Sequence, residues 1–398
     1  MKTRLIKILL LLLPVLAQAE PGAVLTGIDV LERDEFRQLS GARIGLLTNH
    51  TGITRDGRSS IRLLNNAENV EVVRLFSPEH SLSGKLDIEI IGDSLDASSG
   101  IQVVSLYGEV RRPTAEMLQD IDTIVFDIQD IGTRFYTYIS TMGNAMIAAA
   151  DNGVRFVVLD RPNPINGIDV AGPVLDDGLQ SFVGFHTIAV RHGMTVGEIA
   201  LMLKAELKLN LDLQVIKMHG WQRAQFFDDT GLIWINPSPN MRSLTEALLY
   251  PGIGLLETTN LSVGRGTATP FEVFGAPWID GELLAKKLTA LGLPGVTFNA
   301  IEFMPDASKF VGETCGGISI TISDRARFEP LTTGFSIARQ LRLDYPEIWQ
   351  IEPYLRLLGN AATFDALQVG RTVAEIKNAY QTGLDKFITR RAAFLLYE

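Results

Sequence analysis

Residues 122–160, "DTIVFDIQDIGTRFYTYISTMGNAMIAAADNGVRFVVLD", contain the pattern that decides the fold. The apolar runs at 122–128 and 155–160 show no polar alternation, which is typical of strands buried on both faces. Between them, residues 137–153 carry apolar side chains three and four positions apart, which predicts a helix capped at its end by Gly153. A strand, a helix and a second strand in this order predict a parallel pair joined by a crossover helix.

The same alternation continues on both sides of this segment. Further strands are predicted at 43–49, 70–76, 101–107 and 211–218, and further helices at 114–121 and 195–207. Thr195 and Glu198 have the spacing of a capping box at the start of the last of these helices. We therefore predict an α/β fold in which a Rossmann-like parallel sheet occupies residues 20–240.

Residues 235–271 interrupt this rhythm because they are rich in Pro, Gly, Ser, Thr and Asn. Beyond them, strands are predicted at 295–305 and 315–324, and a helix at 333–345. These elements predict a smaller α+β C-terminal domain that covers residues 241–398.

Residues 1–19 have the pattern of a cleavable secretory signal peptide. Basic residues precede an apolar core at 8–16, and the small residues of "AQA" predict cleavage after Ala19. The core is much shorter than the roughly 20 residues that a membrane-spanning helix needs. The sequence therefore predicts a periplasmic or secreted protein that is not inserted in the membrane after cleavage.

The composition is that of a globular protein, with 46% hydrophobic and 21% charged residues in a chain of 398. The net charge is −10 and no cluster of Lys and Arg forms a basic patch, which argues against nucleic acid as a partner. An acidic protein binds an anionic substrate through individual arginines rather than through its overall field. The single Cys315 cannot form an internal disulfide, so the core must stabilise the fold.

Polar residues follow the predicted strands of the sheet. Ligands of open parallel sheets bind at the carboxyl ends of the strands. The polar side chains found there, or just before the helix at 195–207, are Asn49, His50, Glu79, His80, Tyr107, Asp127, Gln129, Asp130, Arg134, Tyr136, Tyr138, Asp160, Arg161, Asn163, Asn166 and His192. The sequence therefore predicts a site for a polar ligand along this edge.

Common nucleotide and hydrolase motifs are missing from the sequence. The loop "LLTNHTGITRDG" at 46–57 lacks the G-x-G-x-x-G fingerprint of a dinucleotide-binding turn. The chain also lacks a P-loop, a G-x-S-x-G elbow and the H-E-x-x-H or paired C-x-x-C spacing of zinc sites. We expect no metal and no organic cofactor.

A set of motifs occurs in a specific order: "FSPEH" (76–80), "SLYG" (105–108), "FDIQDIGTRFYTY" (126–138), "DRPNPING" (160–167), "HGMTVGE" (192–198), "SPNMRS" (238–243) and "YPGIGLLETTNLSVGRGT" (250–267). This ordered set resembles the NamZ-type exo-β-N-acetylmuramidases over nearly all of the chain beyond the signal peptide. The resemblance implies a Rossmann-like domain, a smaller C-terminal domain and an active-site cleft between them. It also implies release of N-acetylmuramic acid from the non-reducing ends of peptidoglycan fragments.

Glycoside hydrolysis needs an acid for the leaving oxygen and a group that stabilises the oxocarbenium-like centre. Glu79 follows a buried strand, where desolvation favours the protonated carboxyl group that an acid catalyst requires. We predict Glu79 as this acid, with His80 as an orienting or sugar-binding neighbour. The second group is a carboxylate, from Asp127, Asp130 or Glu257, or, by a route that the family resemblance implies, the acetamido group of the substrate. In the latter case the acetamido group is polarised by Tyr107, Asp130 or Gln129.

Muramic acid carries a lactyl carboxylate, which a bidentate arginine or a helix N-terminus can recognise. The candidate arginines are Arg134, Arg161 and Arg265, each with a structural salt bridge as the alternative. Asn49 and Asn163 are predicted to bind sugar hydroxyls or, alternatively, to satisfy turns. Sugar contacts are also predicted for Tyr136 and for His192, the latter with a scaffold role as well. Sugar stacking or, alternatively, core packing is predicted for Trp221, Trp234 and Trp278.

Two other functions fit part of the pattern. A non-catalytic periplasmic sugar-binding protein has a similar two-domain cleft, and a metal-dependent amidase or deacetylase would use His50, His80, His192 and Asp127. The loop after Glu79 also departs from the family pattern, because Ser83 stands where the family has a basic residue. The contacts of residues 81–87 with a substrate are therefore left open.

Overall fold

The structure is a computed structural model that describes residues 23–84, 94–97 and 99–398. The predicted signal peptide at 1–19 and residues 85–87 of the atypical loop lie outside the described residues. Within the described ranges, no helix is both long and apolar enough to cross a lipid bilayer.

The secondary structure of the described chain alternates between strands and helices in its first half. The strands are β1 (Ala42–Thr48), β2 (Val70–Ser77), β3 (Ser94–Leu95), β4 (Gln102–Ser105), β5 (Thr123–Asp127), β6 (Arg155–Leu159), β7 (Ala171–Val174), β8 (Ala189–Arg191), β9 (Leu213–Ile216), β10 (Val273–Ala276), β11 (Val296–Phe303) and β12 (Cys315–Ile322). The α-helices are α1 (Gly27–Arg33), α2 (Ser60–Asn65), α3 (Tyr138–Asn152), α4 (Val196–Glu206), α5 (Leu244–Ile253), α6 (Gly281–Ala290), α7 (Pro330–Asp344), α8 (Leu355–Leu358), α9 (Ala361–Gln368) and α10 (Val373–Arg391).

The largest sheet has the strand order β3-β4-β2-β1-β5-β6-β9. Its strands pair in parallel, except that the edge strand β3 runs antiparallel to β4. From β1 the chain adds β2 and β4 on one side, and then crosses to add β5, β6 and β9 on the other. The order reverses between β1 and β5, and in such sheets the ligand crevice lies outside the carboxyl ends at this switch point. The predicted Rossmann-like sheet is confirmed.

The central strands of this sheet, such as β5, are buried on both faces. On β5, Ile124 and Phe126 pack into the apolar layer that contains α3 and α4, whereas Val125 packs into the opposite layer with α1. Because both faces are covered, the inner positions of β5 are apolar, which explains the continuous apolar run in the sequence.

The helices predicted at 137–153 and 195–207 are confirmed as α3 and α4. Gly153 ends α3 with φ 65°, and its N–H donates to the last carbonyls of the helix. At the start of α4, the Thr195 hydroxyl accepts from the Glu198 N–H while the Glu198 carboxylate accepts from the Thr195 N–H.

The helix predicted at 114–121 is wrong. This segment forms consecutive turns whose backbone hydrogen bonds are mainly of the i→i+3 type, and Asp120 has a left-handed φ of 67°. A left-handed residue cannot continue a right-handed helix. The apolar spacing there instead buries Leu118 and Ile121 against the sheet.

The C-terminal part contains the antiparallel sheet β10-β12-β11, which confirms the strands predicted at 295–305 and 315–324. The helix predicted at 333–345 is confirmed as α7. Helix α5 crosses α7 at backbone contact, because a Cβ on Gly252 would lie 2.0 Å from the Pro330 carbonyl oxygen. The apolar layer beside α3 continues into this sheet, so the two parts share one core. The boundary at residues 240 and 241 stays a prediction.

The segment after α10 returns to the edge of the large sheet. Tyr397 Oη donates to Asp160 Oδ2 at 2.5 Å, and the Leu396 N–H donates to Glu198 Oε1 at 2.8 Å. Asp160 also accepts from Thr195 Oγ1 at 2.8 Å. Asp160 is fully buried, and this burial raises its pKa to about 7.

Asp160 is expected to make stability depend on pH below neutrality. Its pKa rises from 3.8 to about 7 on folding, so the folded state binds more protons between these values. The stability contributed at this site is therefore complete below the unfolded pKa and is lost as the pH rises through the folded pKa. Urea unfolding at about pH 5 and about pH 8 checks this expectation. Between the lower and the higher pH, the wild type should lose stability relative to Asp160→Asn, because the variant lacks the titrating carboxyl group. A stability difference between the two proteins that does not change with pH would contradict the expectation.

Candidate active site

A cavity of about 320 Å³ lies beyond the carboxyl ends of β2 and β5. Its walls come from the turn after β2, from the segment that joins β5 to α3, and from later segments that include the C-terminal part. The lining residues are Glu79, His80, Phe135, Tyr136, Thr137, Tyr138, Val183, Ser238, Asn240, Met241, Tyr250, Glu257, Thr258, Arg265, Phe271, Arg356 and Leu357. The cavity thus lies between the large sheet and the C-terminal part.

Glu79 and His80 lie in the turn that follows β2. His80 and Ser81 have left-handed backbones, with φ values of 69° and 66°, so the chain reverses directly after the strand. Thr137, the N-cap residue of α3, donates its hydroxyl to Glu79 Oε2. One oxygen of the half-buried Glu79 carboxyl group is therefore held at the start of α3, on the wall of the cavity.

Gly84 packs the same turn against the loop after β1. Its φ is 65°, and a Cβ there would lie 1.7 Å from the His50 ring, so only glycine fits. His50 Nε2 lies 2.6 Å from the Asn236 carbonyl oxygen. The His50 ring therefore braces the turn that carries Glu79.

Aromatic side chains form much of the cavity wall. Tyr136 makes edge contacts with Tyr138 and Tyr250, at ring-centroid distances of 5.0 and 5.9 Å, and Tyr250 contacts Phe271 at 4.8 Å. Burial raises the pKa of each of these three tyrosines, so their hydroxyls stay protonated at neutral pH. A wall of this kind offers apolar ring faces and hydroxyl groups to a ligand.

A charged pair lies on the C-terminal wall. Arg265 Nη1 donates to Glu257 Oε1, and the two side chains are 27% and 19% exposed. Lys309 Nζ donates to the backbone carbonyl of Glu257. Burial lowers the pKa of Lys309, while the nearby Glu257 carboxylate opposes that shift. The carboxylate of Glu257 is therefore already engaged by a cation inside the cavity.

The structure pairs Asp127 and Arg161, both predicted site residues, with each other. Arg161 Nε donates to Asp127 Oδ1 at 2.6 Å, and both side chains are buried. Ser60 Oγ donates to the other Asp127 oxygen at 2.6 Å, and Arg161 Nη2 donates to the Ile53 carbonyl at 2.9 Å. Neither residue lines the cavity, so both have internal partners in place of the predicted substrate contacts.

Three predicted amides also make contacts within the protein. Asn49 Oδ1 accepts from the N–H and the hydroxyl of Thr51, at 2.9 and 2.6 Å. Gln129 Nε2 donates to two backbone carbonyls at 2.7 and 2.8 Å, and Asn163 Nδ2 donates to another at 3.0 Å. These buried amides hold the loops at the carboxyl edge of the sheet and do not line the cavity.

Asp130 and His192 form a buried pair behind the cavity wall. His192 Nδ1 accepts from the Met194 N–H at 3.1 Å, so this nitrogen carries no proton and the proton of a neutral ring lies on Nε2. His192 Nε2 faces Asp130 Oδ2 at 3.7 Å, and the same oxygen accepts from the Gly132 N–H at 2.8 Å. Asp130 lies close enough to influence the hydroxyls of Tyr136 and Tyr138 electrostatically.

Arg134, another predicted site residue, is fully buried and binds backbone carbonyls. Its Nη1 donates to Pro173 and Ile188 at 2.9 and 3.0 Å, and its Nη2 donates to Leu357 and Leu358 at 2.8 and 2.7 Å. Burial lowers the pKa of Arg134 to about 9, which still leaves it charged at neutral pH. Arg134 therefore connects the loop after β5 to the end of α8, in place of the predicted contact with a substrate carboxylate.

Tyr107 lies next to the Glu79 turn, because β4 and β2 are paired neighbours in the sheet. Its ring is 6.0 Å from the ring of Phe182, and the Arg111 guanidinium lies 4.3 Å from the Phe182 ring centre. Phe182 precedes Val183, which lines the cavity. Tyr107 itself is not a lining residue.

The three tryptophans considered for sugar stacking pack against other side chains of the protein; Trp221 is buried, and Trp234 and Trp278 are half-buried. Each makes an edge contact with one aromatic ring at 5.1 Å, in the pairs Trp221–Tyr397, Trp234–Phe227 and Trp278–Tyr345. None of them lines the cavity, in agreement with the core-packing alternative.

Some lining residues were not predicted as site residues. Five of them lie inside or at the ends of the motifs that carry the family resemblance: Thr137, Ser238, Asn240, Tyr250 and Thr258. The motifs themselves could therefore have indicated that these residues belong to the site. Arg356 lies outside all of these motifs, and no sequence pattern indicates its place in the cavity.

Among residues 23–84, 94–97 and 99–398, we find no group of three or more His, Cys, Asp or Glu side chains that is arranged to hold a metal ion. Two of the residues considered for a metal-dependent function have separate partners. His50 contacts the Asn236 carbonyl, while Asp127 pairs with Arg161.

The fold and the cavity are those of an α/β protein with a ligand site beyond the carboxyl ends of a parallel sheet, near its switch point. Carboxylates, arginines and aromatic rings line this site, which suits a small polar ligand. Residues 44–245 match the family model described as exo-β-N-acetylmuramidase NamZ, N-terminal, and residues 248–397 match its C-terminal counterpart. The chain belongs to the NamZ exo-β-N-acetylmuramidase family.

Relatives extend over nearly the whole chain. The peptidoglycan β-N-acetylmuramidase NamZ of Bacillus subtilis (strain 168) is 43% identical over 383 residues, which cover 95% of this chain and 92% of that protein. A DUF1343 family protein from Bacteroides fragilis NCTC 9343 has a crystal structure with a TM-score of 0.88 and 38% identity, covering 95% of this chain and 100% of that one. A second such protein from the same organism gives a TM-score of 0.75 and 29% identity, covering 94% and 99%.

Proposed function

We propose that this chain is an exo-acting glycoside hydrolase that releases N-acetylmuramic acid from the non-reducing ends of peptidoglycan fragments during cell-wall turnover. The observation that carries the proposal is the position of Glu79, whose carboxyl group is held by Thr137 on the wall of the cavity. Membership of the NamZ family and the activity named for the Bacillus subtilis relative support it.

Glu79 acts as the general acid in this proposal. Thr137 donates to Oε2, so Oε2 is an acceptor and the transferable proton belongs on Oε1. As the bond between the anomeric carbon and the leaving oxygen breaks, Glu79 passes this proton to that oxygen. The leaving sugar departs as a neutral alcohol, and Glu79 is left as a carboxylate that can accept a proton from the incoming water.

The acetamido group of the substrate supplies the second catalytic group. Its carbonyl oxygen attacks the anomeric carbon and forms a cyclic intermediate, which water then opens. This route is favoured because Glu257, the other carboxylate of the described cavity wall, is engaged by Arg265. The roles of Tyr107 and Asp130 in polarising the acetamido group stay predictions.

Two disaccharides test the proposed function. The first has N-acetylmuramic acid at its non-reducing end and N-acetylglucosamine at its reducing end, and the second has the reverse order. We expect the protein to release free N-acetylmuramic acid from the first and nothing from the second. Turnover of the second alone would contradict the proposal. A folded protein that binds the first disaccharide in calorimetry without cleaving it would instead be a sugar-binding protein.

Thr137 is expected to orient the acid. Thr137→Val removes the hydrogen bond to Glu79 while keeping the side-chain shape. We expect kcat to fall roughly tenfold, because this hydrogen bond stabilises the carboxylate that forms as Glu79 gives up its proton. Thr137→Ser keeps the hydroxyl and should retain most of the activity. Steady-state kinetics on the first disaccharide give both values. Equal impairment of the two variants would show that the hydroxyl is not the important group.

We also propose that the protein is exported, because residues 1–19 have the features of a cleavable signal peptide. The intact mass of protein purified from the periplasm or the medium of an expressing Gram-negative cell tests this. A mass that corresponds to a chain starting at Glu20 is expected. Full-length protein confined to the cytoplasm would contradict export.

A further inference from the structure

We propose that Arg356 recognises the lactyl carboxylate of the muramic acid unit and thereby distinguishes muramic acid from glucosamine. This inference rests on the proposed function, and it names the residue that gives the site its preference for an anionic sugar. The lactyl carboxylate is the chemical difference between the two sugars, so a cation in the cavity is the expected means of selection.

The arginines that were predicted for this role are committed elsewhere. Arg134 donates to four backbone carbonyls, and Arg161 is paired with the buried Asp127. Arg265 does line the cavity, but it forms an ion pair with Glu257 and so brings little net positive charge to a ligand.

Arg356 is the remaining arginine of the cavity lining in the described structure. It is exposed on α8, and among the described residues it makes neither an ion pair nor a side-chain hydrogen bond. Its guanidinium can therefore turn both terminal nitrogens towards a carboxylate, in the bidentate geometry that arginine and carboxylate prefer. No ion pair within the described protein has to break first.

The backbone that carries Arg356 is held firmly from inside the protein. Arg134 Nη2 binds the carbonyls of Leu357 and Leu358, the two residues that follow Arg356. Gly359 then ends α8 with φ 60°, and a Cβ at that position would lie 2.3 Å from Leu175 Cδ1. The main chain at Arg356 is thus fixed to the loop after β5 while its side chain remains available.

The position of Arg356 across the cavity from the sheet also suits this role. Glu79 is supplied by the turn after β2, whereas Arg356 is supplied by the C-terminal part, and both line one cavity. A sugar bound between them presents its glycosidic oxygen to Glu79 and its lactyl group to α8. Binding therefore requires the C-terminal part as well as the sheet, which gives that part a function in substrate selection.

The test compares two substrates in four proteins. The substrates are 4-nitrophenyl β-N-acetylmuramide and the same glycoside with its lactyl carboxylate converted to the methyl ester. The proteins are the wild type, Arg356→Gln and the control Arg327→Gln, which changes an exposed arginine that does not line the cavity. Arg356→Lys is added because it keeps the charge without the bidentate geometry.

We expect the wild type and Arg327→Gln to prefer the free acid in kcat/KM. Arg356→Gln should lose about 10- to 100-fold in kcat/KM on the free acid, as expected for one charge-assisted contact, and should change little on the ester. The kcat/KM of Arg356→Lys on the free acid should lie between the values of the wild type and of Arg356→Gln. If the wild type is active and Arg356→Gln keeps the same preference for the free acid over the ester, the role of Arg356 is overturned and the proposed function stays intact. A folded wild type that cleaves neither glycoside would overturn both.

Discussion

Replacing Glu79 with glutamine is expected to lower kcat on the muramic-acid-terminated disaccharide by about 10²–10⁴, the usual contribution of a general acid. The glutamine carbonyl can still accept the hydrogen bond from Thr137, so binding and folding should change little. What is lost is the proton for the leaving oxygen. The loss should be smaller on 4-nitrophenyl β-N-acetylmuramide, because nitrophenol is a stronger acid than a sugar hydroxyl and needs less protonation to leave.

The comparison of leaving groups separates an acid from a residue that merely supports the fold. Glu347→Gln is the matched control, since Glu347 is exposed and lies outside the cavity lining. Melting temperatures of all three proteins should agree. A Glu79→Gln variant that loses the same factor on both substrates would indicate a binding or folding role, and one that keeps full activity on the disaccharide would contradict the assignment.

Arg134→Met is expected to be the most destabilising of the substitutions considered, with a loss of about 3–6 kcal/mol in the free energy of unfolding. The methionine fills part of the space but leaves four buried carbonyls without the donors that Arg134 provides. Because two of these carbonyls follow Arg356, residual activity should also show a weaker preference for the free acid over its ester.

Urea unfolding of Arg134→Met beside Arg327→Met measures this effect. The control removes an arginine from an exposed position and should change the unfolding free energy by less than about 0.5 kcal/mol. If the two variants were equally stable, the bridge from Arg134 to α8 would be unimportant for the fold.

The central strands of the large sheet could be predicted from sequence because they are buried on both faces, as on β5, where every position is apolar except at the ends. Their order in the sheet could not, since a local pattern does not say which strands pair. The short, exposed edge strand β3 was not predicted. At 114–121 a helical spacing was misleading, because it records only which side chains are buried and Asp120 takes a left-handed conformation. Local periodicity thus predicts burial more reliably than backbone conformation.

The sequence predicted where the candidate site lies, but it predicted only some of the residues that line it. The predicted residues that do line the cavity are Glu79, His80, Tyr136, Tyr138, Glu257 and Arg265. The other predicted residues have the same chemical types and lie on the same edge, so sequence alone cannot separate them from residues that face a ligand.

Two arginines illustrate this difference. Arg134 lies in a family motif but serves the fold, whereas Arg356 lies in no motif and lines the cavity. The contact that places Arg356 joins residues more than two hundred positions apart in the chain, 134 and 357. A sequence pattern carries no information about such a contact.

The most direct test of the account is the release of N-acetylmuramic acid from the muramic-acid-terminated disaccharide by the wild type and by Glu79→Gln, each with and without a chelator. The account predicts turnover by the wild type that the chelator leaves unchanged, and a loss of about 10²–10⁴ in Glu79→Gln under both conditions. Wild-type turnover that disappears with the chelator, or a Glu79→Gln variant as active as the wild type, would contradict it.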